Sequence, residues 1–412
     1  MQKKIMIFSW RTVNDYTPIY NALVQMGFRC IVVDIGMSDQ RDKAHYDFFV
    51  DYLKDKNIDA VISVNFFDYL SKACNKYDIP YIAWLYDSPI RFDEFDTLLY
   101  DNTHIFTFDS YEASRMQNRY NMKRAHYLPL AADTDSFDRL HPSKSDRERY
   151  QAQISFVGSL YESSIENYAD NLSDYYKGYF NGVIDSATGR YDSQVIETFR
   201  SEHLLEWIDN REFLRDVLKK ESDINIDDYN SEEGEEKLRD ELSLKLSKML
   251  SHAVTNKERV LIISMLSSHF KFKLYSGSKS SIIKNAIECG RVNYNKEMPL
   301  VFKCSDINLN ITYKAIKAGM PLRCLDIMGC GGFLLTNYQK DFDDDFIDGV
   351  NIAIFRSIEE AYEKCEYYLK NDDVRKRIAR AGYETVKKKY NYPLLLSRAF
   401  ELSGLKESLE LM

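Results

Sequence analysis

Pro321-Leu-Arg-Cys-Leu-Asp-Ile-Met-Gly-Cys-Gly-Gly-Phe-Leu-Leu-Thr-Asn337 reads as a helix that drops through a glycine pair into a buried strand. Proline suits the first helical position, where its fixed φ helps and its missing N–H is not needed. Leu322, Leu325 and Met328 recur at helical spacing and give a face that packs on a sheet. Gly331 and Gly332 stop the helix, because glycine alone takes positive φ cheaply. Phe333 to Thr336 then has the length and composition of a strand inside a parallel sheet. Arg323 and Asp326 lie three apart in the first turns, on one side of the helix. An arginine there can clamp a phosphate already favoured by the free N–H groups of a helix start. An aspartate can accept from ribose hydroxyls. An i,i+3 ion pair on an ordinary helix is the alternative reading.

At 412 residues the chain exceeds one ordinary domain of roughly 100–200 residues, so two domains are expected, with room for an insertion. It is 44% hydrophobic and 29% charged, which is enough apolar material for real cores. The net charge of −9 argues against nucleic acid or an anionic membrane as the main partner. Seven cysteines, odd in number and without a C-x-x-C pair, suit a reducing cytosol. MQKKIMIFSW has too short an apolar run for a signal peptide, and no later run approaches the roughly 18 residues of a membrane span. A cytoplasmic enzyme or binding protein without stable membrane insertion is the expectation.

Residues 1–135 alternate short apolar runs with amphipathic segments, the pattern of a parallel sheet with helical crossovers. Strands are predicted at Ile5–Ser9, Arg29–Val33, Ala60–Val64, Tyr81–Trp84, His104–Phe108 and His126–Leu128. Helices are predicted at Pro18–Met26, and at Ser110–Tyr120 with a serine cap. The first turn, Ser9-Trp10-Arg11-Thr12, lacks G-x-G-x-x-G, which counts against a dehydrogenase. Ligands of such sheets bind at the carboxyl ends of the strands. There Trp84-Leu85-Tyr86-Asp87-Ser88-Pro89 brings rings for sugar stacking and a carboxylate able to deprotonate a hydroxyl. Asp87-Ser88-Pro89 as a plain cap of the next segment is the alternative.

Residues 136–150 belong to a turn-rich, charged linker, and Ile154–Gly158 restarts the strand pattern. The segment of about 161–270 reads as a helical insertion, with Leu238, Leu242 and Leu246 at i,i+4 and a capping box at Thr255-x-x-Glu258. Ser231-Glu-Glu-Gly-Glu-Glu236 reads as a solvated run. Phe272–Tyr275 leads into Ser276-Gly-Ser-Lys279, a small-residue turn with a cation that either presents N–H groups to phosphate or is a plain surface turn. Val301–Lys303 and Asp306–Ile311 follow as strands. Asp341–Asp345 reads as a loop or helix cap rather than a metal cluster, and no metal site is expected. Helices close the second domain, 151–390, and a last helix occupies 391–412.

Ile307-Asn-Leu-Asn-Ile-Thr312, then Gly319-x-Pro-Leu-Arg323-x-Leu-Asp326-Ile-Met-Gly-x-Gly-Gly-Phe-Leu-Leu-Thr-Asn-Tyr338-Gln339, resembles the CgeB-like (spore maturation) glycosyltransferases. Phe346-x-x-Gly349, Tyr367-Tyr-Leu369 and Ile378-Ala-x-x-Gly382-Tyr383 agree, and Ala83 to Pro89 is similar to the domain that often precedes it. The likeness is close over 270–395 and loose over 1–135.

The resemblance implies an α/β protein of GT-B fold, two facing Rossmann-like domains, with a nucleotide-sugar donor on the second and a protein or glycan acceptor on the first. It implies that Asp326 binds ribose, that Arg323, Gly331 and Gly332 lie near the diphosphate, and that Asn310, Thr312, Gly158, Ser276 and Lys279 complete the donor side. Asp87 and Arg323 would be catalytic, with Trp10, Trp84, Tyr86 and Ser88 on the acceptor side. Many retaining enzymes of this fold carry an acid eight residues before the ribose carboxylate, where this chain has Ala318, and a histidine after an N-terminal strand, where it has Tyr86-Asp87; the second-domain entry Gly158-Ser159-Leu160 also lacks the basic residue often found there. The expected activity is metal-independent hexosyl transfer in protein or cell-surface glycosylation. No cofactor is expected, a UDP-sugar is the first guess for the donor, and a homo-oligomer is allowed. A nucleotide-sugar epimerase and a non-catalytic nucleotide-sugar or partner-binding module are the alternatives.

Overall fold

The computed structural model describes residues 2–10, 16–35, 43–54, 56–88, 95–161, 174–191 and 232–406. Ser231 and Pro89 lie outside what is described, as do the side chains of Trp10, of the whole solvated acidic run, and of Leu238 and Leu242.

Among these residues twelve strands form two parallel sheets. The first contains β1 (Lys4–Trp10), β2 (Arg29–Ile35), β3 (Ala60–Val64), β4 (Tyr81–Leu85), β5 (Thr103–Thr107) and β6 (Ala125–Tyr127), in the order β2-β1-β3-β4-β5-β6. β3, β4 and β5 are buried at every residue, as continuous apolar runs covered by helices on both faces should be. The second contains β7 (Ala152–Val157), β8 (Phe272–Tyr275), β9 (Ile287–Glu288), β10 (Ser305–Asn310), β11 (Leu334–Asn337) and β12 (Ala353–Phe355), in the order β12-β11-β10-β7-β8-β9.

Several local expectations need correction. Val301–Lys303 lies in a helix, Met298–Cys304, with Pro299 in its first turn, while β9 and β12 are too short to show in the sequence. Thr255 caps nothing: it lies inside a helix running Glu232–Ser267, where its hydroxyl donates to the Ser251 carbonyl at 2.6 Å. The helix Ser110–Tyr120 is capped by Asp109, whose side chain accepts from the Tyr111 N–H, and not by its serine. Pro321 is itself the extended N-cap (φ −61°, ψ 146°) of the helix Leu322–Gly329. The linker holds two short helices, Thr134–Asp138 and Lys144–Tyr150, the second opened by a capping box of Ser143 and Asp146.

The two domains share an apolar core. Trp84, Phe106 and Phe108 of the first are buried in one cluster with Leu325, Met328 and Phe346 of the second. The last helix, Tyr392–Leu402, returns to the first domain: Phe400 packs on Phe28 with ring centres 5.5 Å apart, and Tyr392 meets Trp84 edge-on at 5.9 Å. All seven cysteines are free. No described helix is long and apolar enough to cross a membrane.

Candidate active site

The carboxyl edges of the two sheets face each other. Beyond β5, Asp109 accepts from the backbone N–H groups of Lys317 (2.8 Å) and Ala318 (3.2 Å), on the segment that follows β10. Ser110 in turn donates its N–H (3.0 Å) and hydroxyl (2.5 Å) to Asp341 of the second domain. Thus Asp341, from the acidic patch, caps a helix of the other domain. Asp343 accepts from the Tyr338 hydroxyl and Asp345 from the Tyr390 hydroxyl, so these carboxylates serve loops and caps.

On the second-domain side, among the described residues the N-cap Pro321 makes no side-chain cap to the helix Leu322–Gly329. Asp326 is 1% exposed and accepts from the Tyr294 hydroxyl at 2.9 Å. Burial pushes its carboxyl up from an ordinary 3.8 to about 6, against the pull of the Arg323 guanidinium and the Tyr294 hydroxyl. Arg323 lies over the Phe302 ring at 5.7 Å, touches the Met298 sulfur and is partly exposed. Among the described residues no ion pair within 4.0 Å joins it to Asp326, although its charge acts on that carboxyl. Asn310 and Thr312 are buried beneath the cleft. The Asn310 amide donates to the Thr312 and Thr336 hydroxyls at 3.1 and 3.0 Å, and the Thr312 N–H donates to the Asn337 side chain at 2.7 Å. They knit the ends of β10 and β11 together.

Ser276 and Lys279 line a pocket of about 490 Å³ at the carboxyl end of β8, with Glu288 and Arg291. Lys279 pairs with Glu288 at 3.3 Å, and a methyl on Gly277 would lie 2.8 Å from the Arg291 guanidinium carbon. Only glycine lets that guanidinium lie flat on the turn.

On the first-domain side, Asp87 is exposed and accepts from the Asn65 amide at 2.7 Å, while Asn65, at φ +64°, accepts from the Tyr86 N–H at 2.8 Å. One carboxamide thereby brackets the ends of β3 and β4. Trp84 and Ser88 are not acceptor platforms. Trp84 is 1% exposed, wedged edge-on between Tyr86 and Tyr392, and Ser88 is buried with its hydroxyl on Asp109 at 3.4 Å. The Tyr86 hydroxyl reaches across the interface to that of Tyr392 at 3.3 Å.

A family model described as glycosyl transferase-like matches residues 257–394. No curated protein sequence matches the chain. Among solved structures, sucrose-phosphate synthase from Thermosynechococcus elongatus aligns with a TM-score of 0.55 at 9% identity, over 99% of each chain. A glycosyltransferase from Rickettsia africae aligns at 0.53 and 12% identity, also over 99% of each. HepE from Anabaena, solved with UDP-glucose, aligns at 0.52 and 9% identity, over 97% of this chain and 98% of its own. The fold is GT-B.

In this GT-B arrangement the cleft has a cation that the sequence did not disclose. Arg259, from the helix Glu232–Ser267, is 7% exposed and runs under the carboxyl ends of β7 and β10. Its Nε donates to the Ile311 carbonyl at 3.2 Å, its other nitrogens reach the Ser159 and Ile311 carbonyls, and it lies over the rings of Phe156 and Tyr161 at 5.2 and 4.8 Å. Burial pushes its pKa down to about 10, and the Arg323 charge adds to that while Tyr161 opposes it. Arg259 therefore places charge beside Gly158-Ser159, whose own turn has none. Gly158 donates its N–H to the Tyr275 carbonyl at 3.0 Å and sits 3.7 Å from the Arg259 guanidinium, measured from where its methyl would be.

Gly331 and Gly332 fall at the other end of the sheet. They end the helix Leu322–Gly329, opposite the start that bears Arg323, and line a separate cavity of about 390 Å³ with Ser305, Asp306 and Arg375 at the amino end of β10. The structure does not bring them to the cleft.

Proposed function

We propose that the chain is a metal-independent glycosyltransferase that moves a sugar from a nucleoside diphosphate to a hydroxyl of a protein or glycan, with a UDP-sugar as the first donor to test. What carries this reading is the buried, proton-retentive Asp326 beside Arg323, whose charge acts on it, at a helix start that Pro321 does not cap with a side chain, on the inner edge of a GT-B cleft. The glycosyl transferase-like match over 257–394 and the UDP-glucose bound by HepE support the same class.

In this reading ribose hydroxyls take the place of the Tyr294 hydroxyl on Asp326. The acceptor oxygen bonds to the anomeric carbon as the bond from that carbon to the diphosphate oxygen breaks. Asp87, held by Asn65, takes the hydroxyl proton. The charge left on the diphosphate falls to Arg323 and the helix N–H groups, with Arg259 beneath them. Closure of the domains excludes water and limits hydrolysis of the donor.

Thermal unfolding against a panel of nucleotide sugars and free nucleotides tests the proposal. A donor at 100 times its Kd stabilises by about 2.7 kcal/mol, and UDP with its sugars is the group expected to shift the transition. No shift with any nucleotide, in a folded protein, overturns the reading. With the donor known, Arg323→Ala should lower kcat by about 10²–10³-fold. A rate equal to that of the parent removes Arg323 from the mechanism.

A further inference from the structure

We infer that Asp109, on the acceptor-side domain, is a positioning residue for the donor site: it holds the segment Lys317–Met320 that leads into the helix bearing Arg323 and Asp326. The inference rests on the function proposed above.

Asp109 is 0% exposed, and four donors share its carboxylate. One oxygen accepts from the Lys317 N–H at 2.8 Å and the Ser88 hydroxyl at 3.4 Å. The other accepts from Ala318 at 3.2 Å and from its own helix at Tyr111, 3.1 Å away. Two of the four donors thus come from the opposite domain. Burial pushes the Asp109 carboxyl up and the backbone donors pull it back, and separation of the domains removes two of those donors at once.

The grip on Ala318 is two-sided. Its N–H goes to Asp109, and its carbonyl accepts from the Asp341 N–H at 3.0 Å. The Asp341 carboxylate holds Ser110, the residue after Asp109. These contacts form a closed circuit, Asp109 to Ala318 to Asp341 to Ser110, that crosses the interface twice. Next to it Gly319 lies flat on the first domain, for a methyl there would sit 2.8 Å from the Phe108 carbonyl oxygen and 3.0 Å from the Asp109 α-carbon. Pro321 follows two residues later and sets the entry to the helix. The direction of the first turn is therefore set by the other domain, and a full donor site exists only when the domains are docked. Neither Lys317 nor Ala318 needs a particular side chain for this, because the contacts are made by their backbone.

Two variants, Asp109→Asn and Gly319→Ala, test it. The amide keeps size and removes one acceptor oxygen and the charge. The alanine keeps the Asp109 carboxylate and acts on the segment itself, its methyl pressing on the Phe108 ring and carbonyl and on the Asp109 α-carbon, so it serves if Asp109→Asn does not fold. Each is titrated with UDP and with UDP-glucose, and amide hydrogen exchange is followed at Lys317, Ala318 and Ser110. The expected result is at least tenfold weaker nucleotide binding in each variant, faster exchange at those three amides and unchanged exchange across Ile5–Phe8 of β1. The double variant should bind no more than about twofold weaker than the poorer single one, since both act through one segment. Exchange unchanged at Lys317 and Ala318, or nucleotide affinity within twofold of the parent, overturns this role alone. A parent protein that binds neither nucleotide, nor any other of the panel, overturns the functional reading and this role with it.

Discussion

Asp326 is buried with the Tyr294 hydroxyl on its carboxylate, and it keeps its proton up to about pH 6 in the folded chain, against about 3.8 for an ordinary aspartate. A folded-state pKa raised in this way contributes stability in full below the unfolded value, and that contribution is lost as pH rises through 6. By pH 8 the ionised carboxylate costs about 3 kcal/mol relative to a neutral group of the same shape. Asp326→Asn keeps an acceptor for Tyr294 and cannot ionise. The variant should therefore melt higher than the parent at pH 8, with the gain falling to about half by pH 5. In the same samples UDP-sugars should no longer raise its melting temperature. An Asp326→Asn melting point at or below that of the parent at pH 8 would show that the carboxylate is not held at a cost. A group kept where it destabilises the fold is what a binding or catalytic site requires.

At the scale of elements, the glycine pair shows how a motif can be read correctly as structure and wrongly as chemistry. Gly331 takes φ +75° and ends the helix Leu322–Gly329. Gly332 has no room for a methyl: it would meet the Phe302 and Ile327 carbonyl oxygens at 2.9 and 3.1 Å and the Asn308 amide at 2.8 Å. Gly332→Ala should cost about 1–3 kcal/mol in chemical denaturation and leave the nucleotide Kd of the folded protein unchanged. A weakened Kd at full folding would return the glycine to the donor site. The strands of the first domain were legible to within a residue or two, because apolar runs bounded by turn residues cannot hide in a sheet covered on both faces. Val301–Lys303 misled because so short an apolar run fits a strand or a buried helix equally well. Thr255 and Glu258 have the spacing of a capping box, but tertiary partners claim both. Thr255 accepts from the Lys314 N–H at 3.0 Å, and the fully buried Glu258 pairs with the Lys314 ammonium at 3.0 Å. That Asp326 and Arg323 lie near each other on one helix was legible from helical spacing. Arg259 was not, since nothing local separates it from the other charges of a long helix, and its role depends on two strand ends far away in sequence.

On the scale of the whole molecule, the chain crosses between domains twice, and both crossings are packed. At the first, the Ala132 N–H donates to the Tyr390 carbonyl at 2.9 Å, so the linker is fixed to the start of the return path. At the second, the helix Tyr392–Leu402 lies on the helix Thr17–Gln25 and buries Leu395, Leu396 and Phe400. Phe400 is 0% exposed against Phe28, and the shared cluster continues through Tyr392 and Trp84 to Leu325. Such continuity makes the two domains one cooperative unit, although each has its own sheet. Phe400→Ala should cost about 3–5 kcal/mol. Because the lost contacts belong to the first domain and the residue to the last helix, the effect should be visible in both. Exchange should quicken in Thr17–Gln25 as well as in Tyr392–Leu402, within a single unfolding transition. Two separated transitions, with the first domain unmoved, would show instead that the last helix rides on its neighbour without holding it. In that case the docking that fixes Lys317–Met320 would depend on the carboxylates Asp109 and Asp341 and on the shared cluster of Phe106, Phe108, Leu325 and Met328.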